Sequence, residues 1–368
     1  MINRICIIGV GLMGGSFGLS VRRMRPDLDV VGVDEEDVLQ KALERGAITE
    51  RAKSLLDGVA NADLVMLCIP VLESINLMED IGRCVRKSTI VSDVCSVKMP
   101  LQKAAENSFG DQVTFIGGHP MTGSENSGIG HADEFLYENA TYVLCPPPGM
   151  SNDSFAERHI EFIDVIRSTG SRILLMDAQK HDRIAAQISH LPQLVAIALV
   201  NSVGKNRGTD PEVIQLAAGG FRDMTRIASS TYDVWREILQ SNVEPIMKAL
   251  EGLSHEIDDL RSLLESGNFQ AIEERFQSAE DIRTSIPTRS KGFIRPLADI
   301  FVFVSDKPGA ISDMAGRLTT EQLNIKDIEL LKIREGTGGT FRIGLETEAE
   351  ANRALVVLTE AGYRVHRL

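Results

Sequence analysis

Through the first half of the chain, short apolar and β-branched runs at 4–8, 29–34, 62–71, 89–94, 114–117 and 141–145 alternate with stretches of helical spacing. That alternation is the signature of βαβ units around a parallel sheet. A helix over 154–167 and one more strand over 171–176 complete the pattern. From 178 to about 283 strands cease, and apolar residues recur at helical spacing, as at Leu253, Ile257, Leu260 and Leu264. Pro192 and the Gly219-Gly220 pair should break or kink this helical region. The segment 284–296 holds two prolines, a glycine and three basic residues without periodicity, and reads as a linker.

A third unit follows. Residues 298–304 form a strand pattern, Ile311, Met314, Ala315 and Leu318 one helix face, 325–333 and 340–345 two strands, Ala351, Ala354, Leu355 and Leu358 a second helix, and 363–368 a last strand. The order is βαββαβ, the ferredoxin-like split unit. The expected organisation is a Rossmann-like dinucleotide-binding α/β domain over 1–177, an all-helical domain over 178–290 serving substrate and dimerisation, and a small regulatory unit over 297–368.

Composition narrows the class. With 368 residues, 43% hydrophobic and 25% charged, the chain is long enough for two or three cores and is ordinary globular material. A net charge of −13 argues against a broad cationic face for nucleic acid or an anionic membrane surface. Five scattered cysteines, Cys6, Cys68, Cys84, Cys95 and Cys145, form neither a C-x-x-C pair nor zinc spacing, so no metal is expected and a reducing compartment fits. The N-terminus lacks a secretory h-region, and the longest evident apolar run, 64–72, is strand-sized, so a cytoplasmic protein is expected.

The chemistry begins at Gly9-Val-Gly11-Leu12-Met13-Gly14, directly after the first strand. Gly9 permits the tight turn, Gly11 lets backbone approach a pyrophosphate, Gly14 lets helix and strand pack closely, and the helix N-terminus favours phosphate charge. Asp34 ends the second strand, where an acid binds a ribose 2′-hydroxyl. A merely glycine-rich turn would not supply that acid. The run Asp34, Glu35, Glu36, Asp37 repels a 2′-phosphate and shows no adjacent Arg, which favours NAD over NADP.

His119 lies at the end of the strand near 114, in GGHPMTGSE with Ser124 and Glu125. Open α/β sheets bind ligands beyond the carboxyl ends of their strands, so His119 is placed to serve as a base for a hydroxyl proton as hydride departs. The bland alternative is a loop histidine capping a turn. Ser96, in Asp93-Val-Cys-Ser96-Val-Lys98, ends the neighbouring strand and offers a hydroxyl, although an N-cap is the default role for a serine there. His181 and His190 share one helical stretch, about 180° apart on an unbroken helix, so both face one pocket only through a kink at Pro192 or a second subunit. In Gly219-Gly220-Phe-Arg222-Asp223-Met-Thr-Arg226, the arginines suit a carboxylate, against the bland reading of a salt bridge.

The glycine loop with Asp34, then DxxSVK, GGHPMTGSE, HD, SHLP and GGFRDMTR in this order, resembles the prephenate dehydrogenase family across nearly the first 290 residues. The remaining unit resembles an ACT domain, an amino-acid-sensing module. The resemblance implies NAD-dependent oxidative decarboxylation of prephenate in tyrosine biosynthesis. It casts His119 as base with Ser96 beside it, Arg226 as the group holding a substrate carboxylate, Ser124 and Glu125 at the mouth, and His181, His190 and Gln193 in the helical wall. Many members carry a second histidine where this chain has Gln193, which leaves arogenate, or mixed cyclohexadienyl specificity, as the alternative substrate reading. A β-hydroxyacid dehydrogenase or a non-catalytic NAD-binding sensor are more remote alternatives. The ACT resemblance implies tyrosine as an allosteric ligand, near Asp306, Pro308, Gly309 and Asn324, and a homodimer.

Overall fold

The computed structural model describes residues 1–110, 113–124, 126–205, 210, 212–286, 297–334 and 338–367. They divide into two compact units, Met1–Gln277 and Ser278–Leu368.

The first unit carries an eight-stranded sheet of β1 (Arg4–Ile8), β2 (Asp29–Val33), β3 (Glu50–Arg51), β4 (Leu64–Leu67), β5 (Ile90–Asp93), β6 (Thr114–Pro120), β7 (Thr141–Cys145) and β8 (Arg172–Leu175), in the order β3-β2-β1-β4-β5-β6-β7-β8. The order turns back on itself at β1, where β2 lies on one side and β4 on the other, which is the switch point of a doubly wound sheet. Central strands such as β4 are buried at every position because helices cover both faces. Two apolar clusters result, one around Ile5, Ile7, Phe17 and Phe162, the other around Cys6, Leu67, Val91 and Leu101.

Three features depart from the sequence pattern. β6 and β7 pair antiparallel. Among the described residues between them lies only a single 3₁₀ turn, Ile129–His131, and without a crossover helix there the chain returns in the opposite sense. The strand expected over 62–71 stops at Leu67, because Pro70 caps the next helix, Val71–Cys84. The two-residue β3, exposed at both positions, is too short to give a pattern.

The helical region opens as one continuous rod. Ala178–Ala185 is α-helical, Ala186–His190 is a π turn, and Leu191–Gly204 is α-helical again. Pro192 therefore does not break the helix. It sits in the first turn after the π segment, where the wider turn absorbs the amide it lacks and the clash of its ring with the preceding turn. The rod 178–204 is by length and composition apolar enough to cross a membrane, which corrects the strand-sized maximum read from the sequence. The Gly219-Gly220 pair likewise starts a helix, Gly219–Thr225, instead of ending one. Helices Tyr232–Ser241, Val243–Glu265 and Phe269–Ser285 follow, the last continuing into the stretch expected as linker. The remainder of that linker lies outside the described residues. Ile257, Leu260 and Leu264, the apolar stripe of Val243–Glu265, are exposed in the single chain.

The second unit holds β9 (Ala298–Val304), β10 (Asp327–Arg334), β11 (Gly338–Leu345) and β12 (Arg364–His366) in an antiparallel sheet ordered β10-β11-β9-β12, with helices Ala310–Thr320 and Glu348–Glu360. Ile300, Val302, Met314, Leu318, Ala354 and Leu358 form its core. Residue 368, the end of the last expected strand, lies outside the described residues.

Candidate active site

The glycine loop leaves β1 with each glycine under a different constraint. Gly9 has φ +87°, and a Cβ there would lie 2.6 Å from the carbonyl oxygen of Cys68. A Cβ on Gly14 would meet the carbonyl oxygen of Gly9 at 2.0 Å, whereas one on Gly11 would stand in open space. Gly9 and Gly14 thus serve the fold, and Gly11 keeps a face clear for a ligand. Leu12 and Met13 open the helix Leu12–Met24, whose first turn no side chain caps. Both are half-buried. Asp34 is exposed beyond β2; its two carboxylate oxygens accept from Val10 N and Glu35 N, both at 2.7 Å, which ties the acid to the glycine loop. These residues fit a dinucleotide, with diphosphate over Gly11 and the helix start and a ribose beside Asp34.

At the other strand ends the sequence brings together a buried polar assembly. Lys98 and Asp93, both fully buried, form an ion pair, and Lys98 Nζ also donates to the carbonyl of Gly118. Asp93 accepts from Cys95 N at 2.9 Å and from Gly118 N at 3.1 Å. The strand holding His119 is therefore clamped one residue before it. Gly118 is obligatory, since a Cβ would fall 2.3 Å from the Asp93 carbonyl oxygen.

His119 is half-buried, and its Nδ1 lies 2.8 Å from His181 Nε2. His181 Nδ1 in turn lies 2.8 Å from Asp182 Oδ1. Asp182 also accepts from Lys98 N at 2.7 Å and Met99 N at 2.8 Å, so a carboxylate from one helix caps the start of another, Met99–Ser108. The bonding pattern assigns the protons. A carboxylate accepts, so His181 carries hydrogen on Nδ1 and presents a bare Nε2; His119 then donates from Nδ1, leaving its own Nε2 as a free lone pair. Among the described residues nothing engages that atom.

His190 reaches the same assembly. On an unbroken helix it would sit about 180° from His181, but the π turn between them inserts roughly one residue, or about 100°, and brings the two within about 80°. Asn242 Nδ2 donates to the Asp182 carbonyl at 2.9 Å and lies 3.2 Å from His190 Nδ1. His190 therefore exposes an N–H on Nε2, where His119 exposes a lone pair. The kink expected at Pro192 is thus achieved one turn earlier.

Burial holds His119 well below the ordinary imidazole range, and the neighbouring His181, Lys98 and His190 push the same way. Burial likewise takes His190 to about 4, against a raising contribution from Asp182. Both rings are neutral in the folded chain near pH 7, whereas in the unfolded chain they would charge near pH 6.5. Below about 6.5 the unfolded chain binds more protons, so stability contributed above that pH is lost as pH falls toward the folded-state values. Thermal melts should be flat from pH 7 to 8 and fall steadily from 6.5 to 4.5. A melting temperature constant across that acid range would contradict neutral burial.

The other expected residues stand as follows. Ser96 is half-buried, is not the N-cap of Met99–Ser108, and has no hydrogen-bond partner among the described residues. Gln193 is buried, and its Nε2 donates to the Ile227 carbonyl at 3.0 Å, one residue beyond Arg226. Arg226 itself is exposed, as is Ser124, whose Oγ accepts from Asn126 N at 3.2 Å; neither bonds to the three histidines. Glu125 lies outside the described residues. Lys98, Asp93, Asp182 and Asn242 have roles that sequence reading did not assign. In the second unit, Gly309 (φ +83°) precedes the helix Ala310–Thr320, and Asp306, Pro308 and Asn324 are exposed.

A doubly wound sheet with a glycine loop at its switch point, and a neutral histidine held at the strand ends against a helical layer, defines a dinucleotide-linked dehydrogenase. Residues 17–175 match the family model for the nucleotide-binding domain of prephenate dehydrogenase, and 177–278 match the model for its dimerization domain. The prephenate dehydrogenase of Bacillus subtilis (strain 168) is 34% identical over 356 residues, 96% of this chain and 95% of the relative. The crystal structure of prephenate dehydrogenase from A. aeolicus in complex with hydroxyphenyl propionate and NAD⁺ is similar with a TM-score of 0.70 at 30% identity, over 78% of this chain and 99% of the other. Synechocystis arogenate dehydrogenase gives 0.69 at 28% identity, over 76% and 99%. The chain belongs to the prephenate dehydrogenase family.

Proposed function

We propose that the chain oxidises and decarboxylates prephenate to 4-hydroxyphenylpyruvate, with His119 as the base. The carrying observation is the bonded series Asp182, His181, His119, which leaves one neutral imidazole with a free Nε2 at the strand ends. NAD⁺, held by the glycine loop and Asp34, supplies the hydride acceptor when bound. His119 takes the proton of the ring hydroxyl as that carbon becomes a carbonyl. Loss of carbon dioxide leaves its electron pair in the ring, which becomes aromatic, and the proton returns to the phenolic oxygen. The Nε2–H of His190 and the Ser96 hydroxyl are suited to hold that oxygen while charge develops on it. Mixing the protein with NAD⁺ and prephenate should yield NADH and carbon dioxide in equal amounts. NADH without carbon dioxide points to a hydroxyacid dehydrogenase, and cofactor binding without turnover to a sensor.

Arg226 holds a substrate carboxylate, supported by the tether from Gln193 to the adjoining Ile227. Removing one charge-assisted hydrogen bond costs about 1.5–3 kcal/mol, so Arg226→Ala should raise KM roughly 10- to 150-fold with a smaller change in kcat. An unchanged KM would assign Arg226 to a surface role. Because Gln193 spends an N–H on backbone, the choice between prephenate and arogenate is tested by competing the two substrates at equal concentration.

The apolar stripe of Val243–Glu265 and the match to a dimerization domain support a homodimer. We read the second unit, with its βαββαβ order, as an ACT domain that binds tyrosine beside Asp306, Pro308, Gly309 and Asn324. Deleting 297–368 should preserve turnover and abolish tyrosine inhibition at subsaturating prephenate. Equal inhibition of the truncated enzyme would place tyrosine in the active site.

A further inference from the structure

The acidic run at 34–37 reads in sequence as free of arginine, but the fold corrects this. β3 lies beside β2 with Arg51 opposite Gly32, and Arg51 Nη1 pairs with Glu36 and donates to Gln40 Oε1 at 3.1 Å. Glu36 is the first residue of the helix Glu36–Glu44, two positions beyond Asp34. A guanidinium therefore stands beside the acidic run that follows β2, with its charge taken up by a neighbouring carboxylate.

We propose that Glu36 is the residue that makes this site reject NADP, by closing an ion pair on Arg51 that would otherwise receive a 2′-phosphate. The proposal rests on the dinucleotide reading of the glycine loop. Asp34 is not the adjustable acid: both its oxygens are bonded to backbone amides of the loop and of Glu35, so replacing it disturbs the seat of either cofactor. Asp37 is met by Lys41 at 3.7 Å, on the next turn of the same helix. Among the described residues Glu35 pairs with no cation, so Glu36 is the carboxylate of the run whose partner is the cation best shaped for phosphate, since a planar guanidinium offers two parallel N–H donors. The Glu36–Arg51 pair is largely exposed, and such pairs add little to stability, so opening it costs the fold little. A 2′-phosphate arriving here must either break the pair or face Glu36 directly. Removing the carboxylate lifts the repulsion and frees the fork in a single change.

The test is fluorescence titration of NADH and NADPH, without substrate, on the full chain. In Glu36→Gln the ratio of the NADPH to the NADH dissociation constant should fall about tenfold or more, a change of roughly one pair of charge-assisted bonds. Adding Arg51→Gln to that variant should return the ratio to near its parental value, with melting temperatures unchanged throughout. A ratio that stays constant in Glu36→Gln, or one that the second substitution fails to reverse, overturns the proposal. If the parent binds neither nucleotide, the dinucleotide reading fails and the proposal falls with it.

Discussion

His119→Asn should lower kcat by about 10²- to 10⁴-fold while NADH binding persists. Asparagine reproduces the Nδ1–H donor toward His181 Nε2, now 2.8 Å away, but has no second nitrogen to accept a proton. Because the loss falls on the step in which the hydroxyl proton moves, KM for the substrate should change far less than kcat. Single-turnover NADH formation separates these quantities. A rate within a few-fold of the parent would remove His119 from the role of base, and a matching loss of NADH affinity would show that the variant disturbs the fold.

Lys98→Met should strongly destabilise the first unit. The ammonium is fully buried against Asp93, and its removal leaves a carboxylate with two backbone donors but no counter-charge. Breaking a buried pair from one side costs about 3–5 kcal/mol, which in a unit of this size lowers the melting temperature by roughly 10 °C. The double variant Lys98→Met/Asp93→Asn should recover part of the loss, since it no longer strands a charge. If the single variant melts with the parent, the pair is not what clamps Gly118 and the strand before His119.

Much of this was legible along the chain because it is local. Apolar runs four to ten residues long found most strands of the first sheet, and the three glycines, each with a different steric duty, located the cofactor loop. What remained hidden joins residues far apart. Asp182 meets Lys98 across 84 positions and Asn242 meets Asp182 across 60, and nothing in either neighbourhood announces the other. Arg51 lies 15 residues from Glu36, on a strand of only two residues. The phase of His190 escaped because periodicity assumes a constant turn, and the five residues Ala186–His190 do not keep it. The sense of β7 depends on what its connection lacks, a crossover helix, and a loop's failure to form one is harder to read than a helix is.

Asp182 has a mechanical consequence as well as an electronic one. Its carboxylate grips the Lys98 and Met99 amides at the start of Met99–Ser108, which springs from the sheet, while its backbone carbonyl is gripped by Asn242 at the head of the long helix Val243–Glu265. One residue is thus a pivot pin between the cofactor-bearing and helical layers. Motion that keeps those bonds can swing the layers about this point but cannot draw them apart. Those bonds meet at the residue next to His181, so the spacing between His119 and His181 is braced from the sheet side and from the helical side at once.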